Sequence, residues 1–363
     1  MVETKLSYNP NIAIHPGESL RDELEYLKLT QVELAKRTGL SEKHLSQIIN
    51  GADPITPETA IKLERALGVS ASFWNNLQKN YELIGARIIA EKKLEEEAKE
   101  AKNFKCYSEL VNLGCIEKTN NWEKRAENLL KFFGVDSLSY VKETEAIAFQ
   151  QLSVALRQSS SEFDHYSLAA WLRCGEINAK EIKTSEFNEK RAKEIIPEIR
   201  KLTSHPEGFG AKLNELCASA GIAVVYTPYF KNTKVNGSAR WIGDKAVIQL
   251  NTRGAYGDIF WFTFFHELGH ILQHGVKAKF IDYQKIEKDS KEKEADKFAA
   301  DILISPEDYL RLLSTKPLNR LTVSSFAKSI GVHISIVLGR LAHEKKASWS
   351  QISNFRDRLI INP

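Results

Sequence analysis

Apolar residues in the first 80 positions recur at helical intervals, broken by capping signals. In HPGESLRDELEYL, Leu20, Leu24 and Leu27 are four and three residues apart, which predicts one buried face of a helix. Thr30, with Glu33 three residues on, is a capping-box signature for a second helix, QVELAKRT, that Gly39 should end. Ser41 caps a third, EKHLSQIIN, ending at Gly51, and Thr56–Pro57 opens a fourth, PETAIKLERAL, ending at Gly68. A fifth runs from about Ala71 through ASFWNNLQKNYEL. The pattern predicts a compact all-α domain over residues 1–82.

Beyond it the periodicity stays helical to about residue 205. LIGARIIAEKKLEEEAKEAKNF (83–104) is rich in Glu and Lys with i,i+4 pairs such as Glu95 and Lys99, as expected of an exposed connecting helix. WEKRAENLLKFFGV and YSLAAWLRCGEINAKEI are the plainest helices of a middle region, 83–195, that shows no chemistry. From 211 the texture changes. A helix ends at Gly221, IAVVYTPY reads as a strand, and SARWIG and KAVIQL read as two more around a Gly243–Asp244 turn. An apolar helix around 263–276, another over about 290–304 and a helical pair in LTVSSFAKSIGVHISIVLGRLAHE follow. Residues 196–363 should therefore form an α+β domain with helices on a small antiparallel sheet. The fold class expected is multidomain: an all-α N-terminal domain, a helical middle and an α+β C-terminal domain.

Bulk properties narrow this only a little. The 363 residues suffice for two or three domains, and 27% charged with 42% hydrophobic residues is the balance of a globular protein rather than a disordered chain. A net charge of +4 permits nucleic-acid binding without arguing for it. The cysteines (Cys106, Cys115, Cys174, Cys217) form no CxxC pair, which predicts reduced, mostly buried thiols in a cytoplasmic protein. MVETKLSYNP lacks the pattern of a signal peptide, and IFWFTFF is far too short to span a bilayer, so no membrane role is expected.

The chemistry concentrates in FTFFHELGHILQHG. His266, Glu267 and His270 spell HExxH. Residues four apart on a helix lie about 40° apart around the axis and roughly 6 Å along it, so both imidazoles can share one ion. A zinc ion held there lowers the pKa of a coordinated water to about 7, and the adjacent Glu267 is placed to take its proton as general base. HExxH also arises by chance. Here, however, Phe262, Phe264, Phe265, Leu268, Ile271 and Leu272 surround it, and leaving three polar side chains unpaired in such a helix costs several kcal/mol. Gly269 allows close packing at the site. A third ligand is available in EKEADKFAADILIS: Glu292 falls about 50° from the centre of the apolar stripe, and Glu294 about 110° away toward solvent. Glu292 is the expected ligand and Glu294 the fallback. Asp296, one turn beyond Glu292, is placed to hold the second N–H of a ligand histidine. His274 is expected to be a helix-end residue rather than another ligand.

HELGHILQHG followed by EKEADKFAADILI resembles the ImmA/IrrE family of bacterial metallopeptidases over roughly residues 195–345. The resemblance implies a gluzincin-like metallopeptidase fold, zinc ligands at His266, His270 and Glu292, a general base at Glu267, and partner repressors in stress or mobile-element circuits as substrates. A substrate peptide could add to a sheet edge beside the metal helix, at 245–250 or at SARWIG.

Gln31 to Asn50 has the length and turn placement of a helix-turn-helix, with Leu34, Ala35, Leu45, Ile48 and Ile49 as its core. Lys43, His44 and Gln47 can reach base edges; Gln31, Ser46 and Asn50 suit phosphates, with Ser41 at the start of the recognition helix. The acidic Glu42 beside them weakens non-specific phosphate attraction. The alternative is a helical bundle whose polar face contacts protein. Residues 15–78 resemble, nearly end to end, the HigA-type branch of the Cro/C1 repressor family, which implies an antitoxin-like, dimeric operator binder. Together the two resemblances imply a DNA-binding regulator carrying a zinc endopeptidase that cleaves a partner regulator, a toxin-related protein or itself. The alternative is a non-proteolytic HigA-like repressor whose metal site is structural or sensory.

Overall fold

The computed structural model describes residues 12–141, 153–154, 164–205, 207–233, 235–252, 256–274, 285–315 and 317–347, with backbone alone at 153, 154, 274 and 285–289. The chain divides into two compact units, Met1–Ala98 and Lys99–Pro363.

The first unit is built by its caps. Helices α1 (Pro16–Tyr26), α2 (Gln31–Thr38), α3 (Glu42–Ile49) and α4 (Pro57–Leu67) begin on side chains that accept an otherwise orphaned backbone N–H: His15, Thr30, Ser41 and Thr56. Each such cap contributes about 1 kcal/mol. At Thr30 the capping box is closed, with the Glu33 amide donating to the Thr30 hydroxyl and the Thr30 amide donating to the Glu33 carboxylate. Gly39, in the left-handed region at φ 70°, ends α2 and makes the turn into α3. Leu20, Leu24, Leu34, Ala35, Leu45, Ile48 and Ile49 form one core with Ile55, Ala60, Leu63 and Trp74. Leu27 leaves the stripe expected of it. It is the C-cap of a helix that stops at Tyr26, and it is 39% exposed. The fifth helix, α5 (Ala71–Ala101), runs without the break expected near residue 83. Gly85 sits in open space, and the Glu-, Lys- and Ala-rich run beyond it has high helix propensity, so nothing stops the helix there.

The second unit opens with α6 (Tyr107–Asn112) and α7 (Trp122–Phe133), then the two-residue strand β1 (Ser153–Val154) and α8 (His165–Glu181). Short helices α9 (Glu189–Glu194), α10 (Ile196–Leu202) and α11 (Phe209–Ser219) lead into strands β2 (Ile222–Thr227), β3 (Gly237–Ile242) and β4 (Lys245–Asn251). Helices α12 (Gly257–His274), α13 (Lys285–Leu303), α14 (Pro306–Ser314), α15 (Arg320–Ile330) and α16 (Ile334–His343) complete it.

The sheet is mixed, in the order β1-β3-β4-β2, where an antiparallel one was expected. After β2 the chain passes over the position of β4 to lay down β3, then turns back through the 243–244 hairpin. The returning β4 fills the gap and runs parallel to β2, with Ile222 opposite Ala246. Because β4 lies between two strands, residues 245–250 offer no edge to a peptide. β3 is the outer of the pair, and its Ser238 and Ala239 pair with β1.

Alternation along the strands makes three layers. Ile222, Val224, Ala246, Ile248 and Leu250 share the large core with Phe260, Trp261, Phe264 and Phe265 of α12. Ala223, Val225 and Val247 face the other way, against Ala179 of α8. A polar seam fixes α8 there: Gln249 Nε2 donates to the Trp171 carbonyl at 2.6 Å and to Thr227 Oγ1 at 2.9 Å, and the half-buried Arg240 guanidinium donates to the Leu172 carbonyl. Among the described residues no single helix is long and apolar enough to cross a membrane.

Candidate metal centre

Helix α12 is apolar all round because it has neighbours all round: the sheet, α13 and α16 pack on it. The HExxH residues are carried into that interior, with His266 3%, Glu267 0% and His270 4% exposed. Helix α13 lies directly against this turn. A Cβ on Gly269 would come within 3.0 Å of Phe298 Cδ1 and 3.4 Å of Ala295 Cα, so glycine permits the approach. Ala295, Ala299 and Leu303 bury their stripe there.

That contact delivers Glu292 to the two histidines. His266 Nε2 lies 3.3 Å from Glu292 Oε2, and His270 Nε2 lies 3.6 Å from Glu292 Oε1. The two Nε2 atoms are 3.0 Å apart. Ligands of a small cation held at about 2.0–2.1 Å in tetrahedral geometry stand about 3.3 Å from one another. The three measured separations straddle that value, and the trio is a group able to hold a metal ion. Glu294 is exposed and lies outside the cluster, lining a shallow groove with Gln273 and Lys297. Asp296 Oδ1 is 2.9 Å from His266 Nδ1. A carboxylate only accepts, so Nδ1 donates and a neutral ring turns its Nε2 lone pair toward His270 and Glu292. The backbone of His274 closes α12; its side chain lies outside the described residues.

The three groups shift one another's acidity. Burial opposes charging His266, but hydrogen bonds to Asp296 and Glu292 and the charges of Glu267 and Glu292 outweigh it and lift its pKa to about 10. Burial likewise opposes the Glu292 carboxylate, yet the hydrogen bonds and charges of His266 and His270 hold it down at about 2. Glu267 differs. Burial pushes it up to about 8, against the pull of His266 and of the Ala239 backbone amide. Neither of its oxygens completes a hydrogen bond with the described residues. It is thus a poised carboxyl beside the donor trio, not consumed by it.

Two neighbours of Glu267 lie outside the motif. A Cβ on Gly237 would meet Thr263 Cγ2 at 2.5 Å and Glu267 Cγ at 3.2 Å, so β3 can cross α12 this closely only through a glycine, and Ala239 turns its amide to the same carboxyl. The Asn-Gly in VNGSARWIG marks a break before a strand; nothing local ties it to a helix near residue 265.

In the first unit, Gln31, Ser41, Lys43 and Asn50 are exposed and His44, Ser46 and Gln47 half-buried. Several are already engaged within the chain. Ser41 caps α3, His44 Nδ1 stands 3.1 Å from the Asp53 carboxylate, and Asn50 Nδ2 donates to Ser46 Oγ at 3.3 Å. Lys43, Gln47 and Gln31 are the expected contact residues for which no such role is seen among the described residues. Asp53 was not legible as a neighbour of the recognition helix; the turn after Gly51 brings it there.

The chain joins a helix-turn-helix module to an α+β domain that carries a buried His-His-Glu donor cluster. Residues 20–74 match the Helix-turn-helix family, and residues 217–341 match the IrrE N-terminal-like domain of the M78 peptidases. Virulence-associated protein I of Dichelobacter nodosus is 42% identical over 74 residues, 20% of this chain and 67% of that protein. Antitoxin HigA-1 of Vibrio cholerae is 38% identical over 84 residues, 23% of this chain and 75% of that protein. The solved structure of Pseudomonas aeruginosa antitoxin HigA with the higBA promoter is 36% identical over 23% of this chain and 94% of that chain, with a TM-score of 0.22. The N-terminal module belongs to the helix-turn-helix family, with HigA-like relatives, and the C-terminal region carries an M78 peptidase-family domain of the IrrE type.

Proposed function

We propose that this chain is an operator-binding regulator whose M78 domain is a zinc endopeptidase, acting on a partner regulator, a toxin-related protein or the chain itself. The observation that carries the reading is the division of labour around α12: His266, His270 and Glu292 bring three donor atoms to tetrahedral spacing, and the buried Glu267 stands beside them without joining. A zinc held only for structure is closed by four protein ligands, whereas this trio leaves a position open with the Glu267 carboxyl beside it. When bound, the ion supplies Lewis-acid activation of water and of the scissile carbonyl. Glu267 then accepts the proton, Asp296 orients His266, and the apolar surround of Phe264, Phe265 and Leu268 keeps bulk solvent out.

In the same proposal, residues 1–82 bind operator DNA as a homodimer through Lys43 and Gln47 at base edges and Gln31 at phosphate, and residues 196–363 hold the peptidase. The test is zinc content per chain, with cleavage of the purified protein alone and of proteins encoded beside it, for wild type against Glu267→Gln. One zinc per chain in both, with cleavage in wild type alone, is expected; equal cleavage by both variants overturns the peptidase. The second reading, a repressor with a sensory or structural metal site, draws support from β1, whose pairing with Ser238 and Ala239 covers the strand edge beside Glu267. It predicts zinc bound, the operator repressed and no cleavage in either variant.

A further inference from the structure

The metal centre leaves a second chemical pair unexplained, on the opposite side of the sheet. Helix α6 closes in a left-handed turn: Gly114 at φ 70° donates its N–H to the Val111 carbonyl, and the Cys115 N–H reaches back to the Leu110 carbonyl at 3.0 Å. The turn pins the exposed Cys115 instead of leaving it on a loose loop, and it faces Cys174 of α8. Their sulfurs are 3.6 Å apart, in van der Waals contact, although the residues are 59 positions apart. A disulfide needs about 2.0 Å between sulfurs, about 1.6 Å closer than these two stand. Both thiols are free, one open to solvent and one buried.

We propose that Cys115 and Cys174 form a peroxide-oxidised dithiol, with Cys115 as the attacking thiol and Cys174 as the resolving one. The Cys115 thiolate attacks one oxygen of hydrogen peroxide, the O–O bond breaks, hydroxide leaves, and Cys115 becomes a sulfenic acid. The Cys174 sulfur then attacks the Cys115 sulfur. The S–O bond breaks, and the departing oxygen leaves as water with the Cys174 proton. In sum, two thiols and one peroxide give one disulfide and two waters, a two-electron oxidation.

The environments divide the roles. The hydrogen bond from Cys174 stabilises the Cys115 thiolate against the cost of partial burial, bringing its pKa to about 7. The same contact together with burial pushes Cys174 up, so it keeps its proton until it attacks the Cys115 sulfenic acid. Cys106, the neighbouring thiol, is pushed up to about 12 by burial and lies against the Tyr166 carbonyl. The bond would tie the α6 turn to α8, the layer that holds the back of the sheet through Trp171 and Leu172. The proposal stands independently of the peptidase reading, since neither thiol touches the metal centre.

The test treats the reduced full-length chain with a small excess of hydrogen peroxide, followed by thiol titration in denaturant, intact mass and peptide mapping. Titratable thiols should fall from four to two, the mass should fall by two hydrogens, and the cross-linked peptide should join Cys115 to Cys174. Dithiothreitol should restore all of them. Cys106→Ala should lose the same pair, its thiols falling from three to one. Cys115→Ser should keep its three thiols, and Cys174→Ala should stop at a Cys115 sulfenic acid trapped by dimedone. Four thiols surviving in wild type, a bond between any other pair, or a chain-to-chain disulfide on a non-reducing gel would overturn it. The wild-type peptide map decides the matter even if Cys174→Ala fails to fold.

Discussion

The recognition helix and the metal helix carry their polar side chains under opposite constraints. On α3 and its C-cap, Lys43 and Asn50 are exposed and Gln47 partly so, and water satisfies whatever the protein leaves unpaired. Their positions follow from the apolar face beneath them rather than from each other. On α12 the polar groups have no water to fall back on. His266, Glu267 and His270 are at most 4% exposed, so a donor or acceptor left unanswered there is costly, and Glu267 is the group that bears that cost. The lesson is that burial turns a motif into an arrangement. A surface motif remains a list of side chains that a partner has yet to select.

The largest effect expected follows from that contrast. Glu267→Gln should lower peptide cleavage about 10²–10⁴-fold, the range of a general base, while leaving zinc content at wild-type level; a loss of zinc instead would move Glu267 into the ligand set. Asp296→Asn should weaken metal binding about 10–100-fold, since His266 loses the carboxylate that orients it, and competition with a chromogenic chelator would read this. Unchanged affinity would leave Asp296 a bystander. On the exposed helix the effects are smaller. Gln47→Ala should cost about 1–3 kcal/mol of operator binding if it reads a base, measured by fluorescence anisotropy at fixed salt. An equal loss on scrambled DNA would make it a phosphate contact. Breaking the half-exposed His44–Asp53 pair with Asp53→Asn should change unfolding free energy by no more than about 1 kcal/mol in a denaturant melt.

Acidity separates the two helices further. In the metal-free chain His266 is lifted above its ordinary 6.5, so its share of stability is full below that value and is lost as pH rises through about 10. Glu292 is held below its ordinary 4.5, so its share is full above that value and is lost as pH falls through about 2. Metal must displace the His266 proton, so affinity should fall about tenfold for each unit of pH lost below neutrality, and calorimetry should show about one proton released per ion at pH 7. Release of none would place the metal elsewhere.

The sequence made local features readable and long-range ones obscure. The capping box at Thr30 and Glu33, the glycine end of α2 and the inward placement of Glu292 relative to Glu294 each depend on residues within a turn or two. Helical angles alone reach them. The parallel pairing of β2 with β4 depends on a crossover that alternation cannot reveal, since a strand facing apolar layers on both sides reads alike in either direction. Asp53 beside His44, Gly237 against Glu267 and Cys115 against Cys174 were invisible for the same reason: each contact is made by the fold, not by spacing. The unbroken α5 is a different case. Its expected break rested on a change in composition, and composition without a cap does not end a helix.

The polar seam between Gln249, Arg240 and α8 bears on how this protein can be dissected. A fragment cut at residue 196 would keep HExxH and Glu292 but lose helix 165–181, stripping the cover from Ala223, Val225 and Val247 and leaving Arg240 without its carbonyl partner. Such a piece would present a bare, greasy sheet to its own copies and would tend to precipitate. A fragment meant to test the peptidase proposal has to begin before His165, so that the HExxH domain keeps the helix covering the back of its sheet.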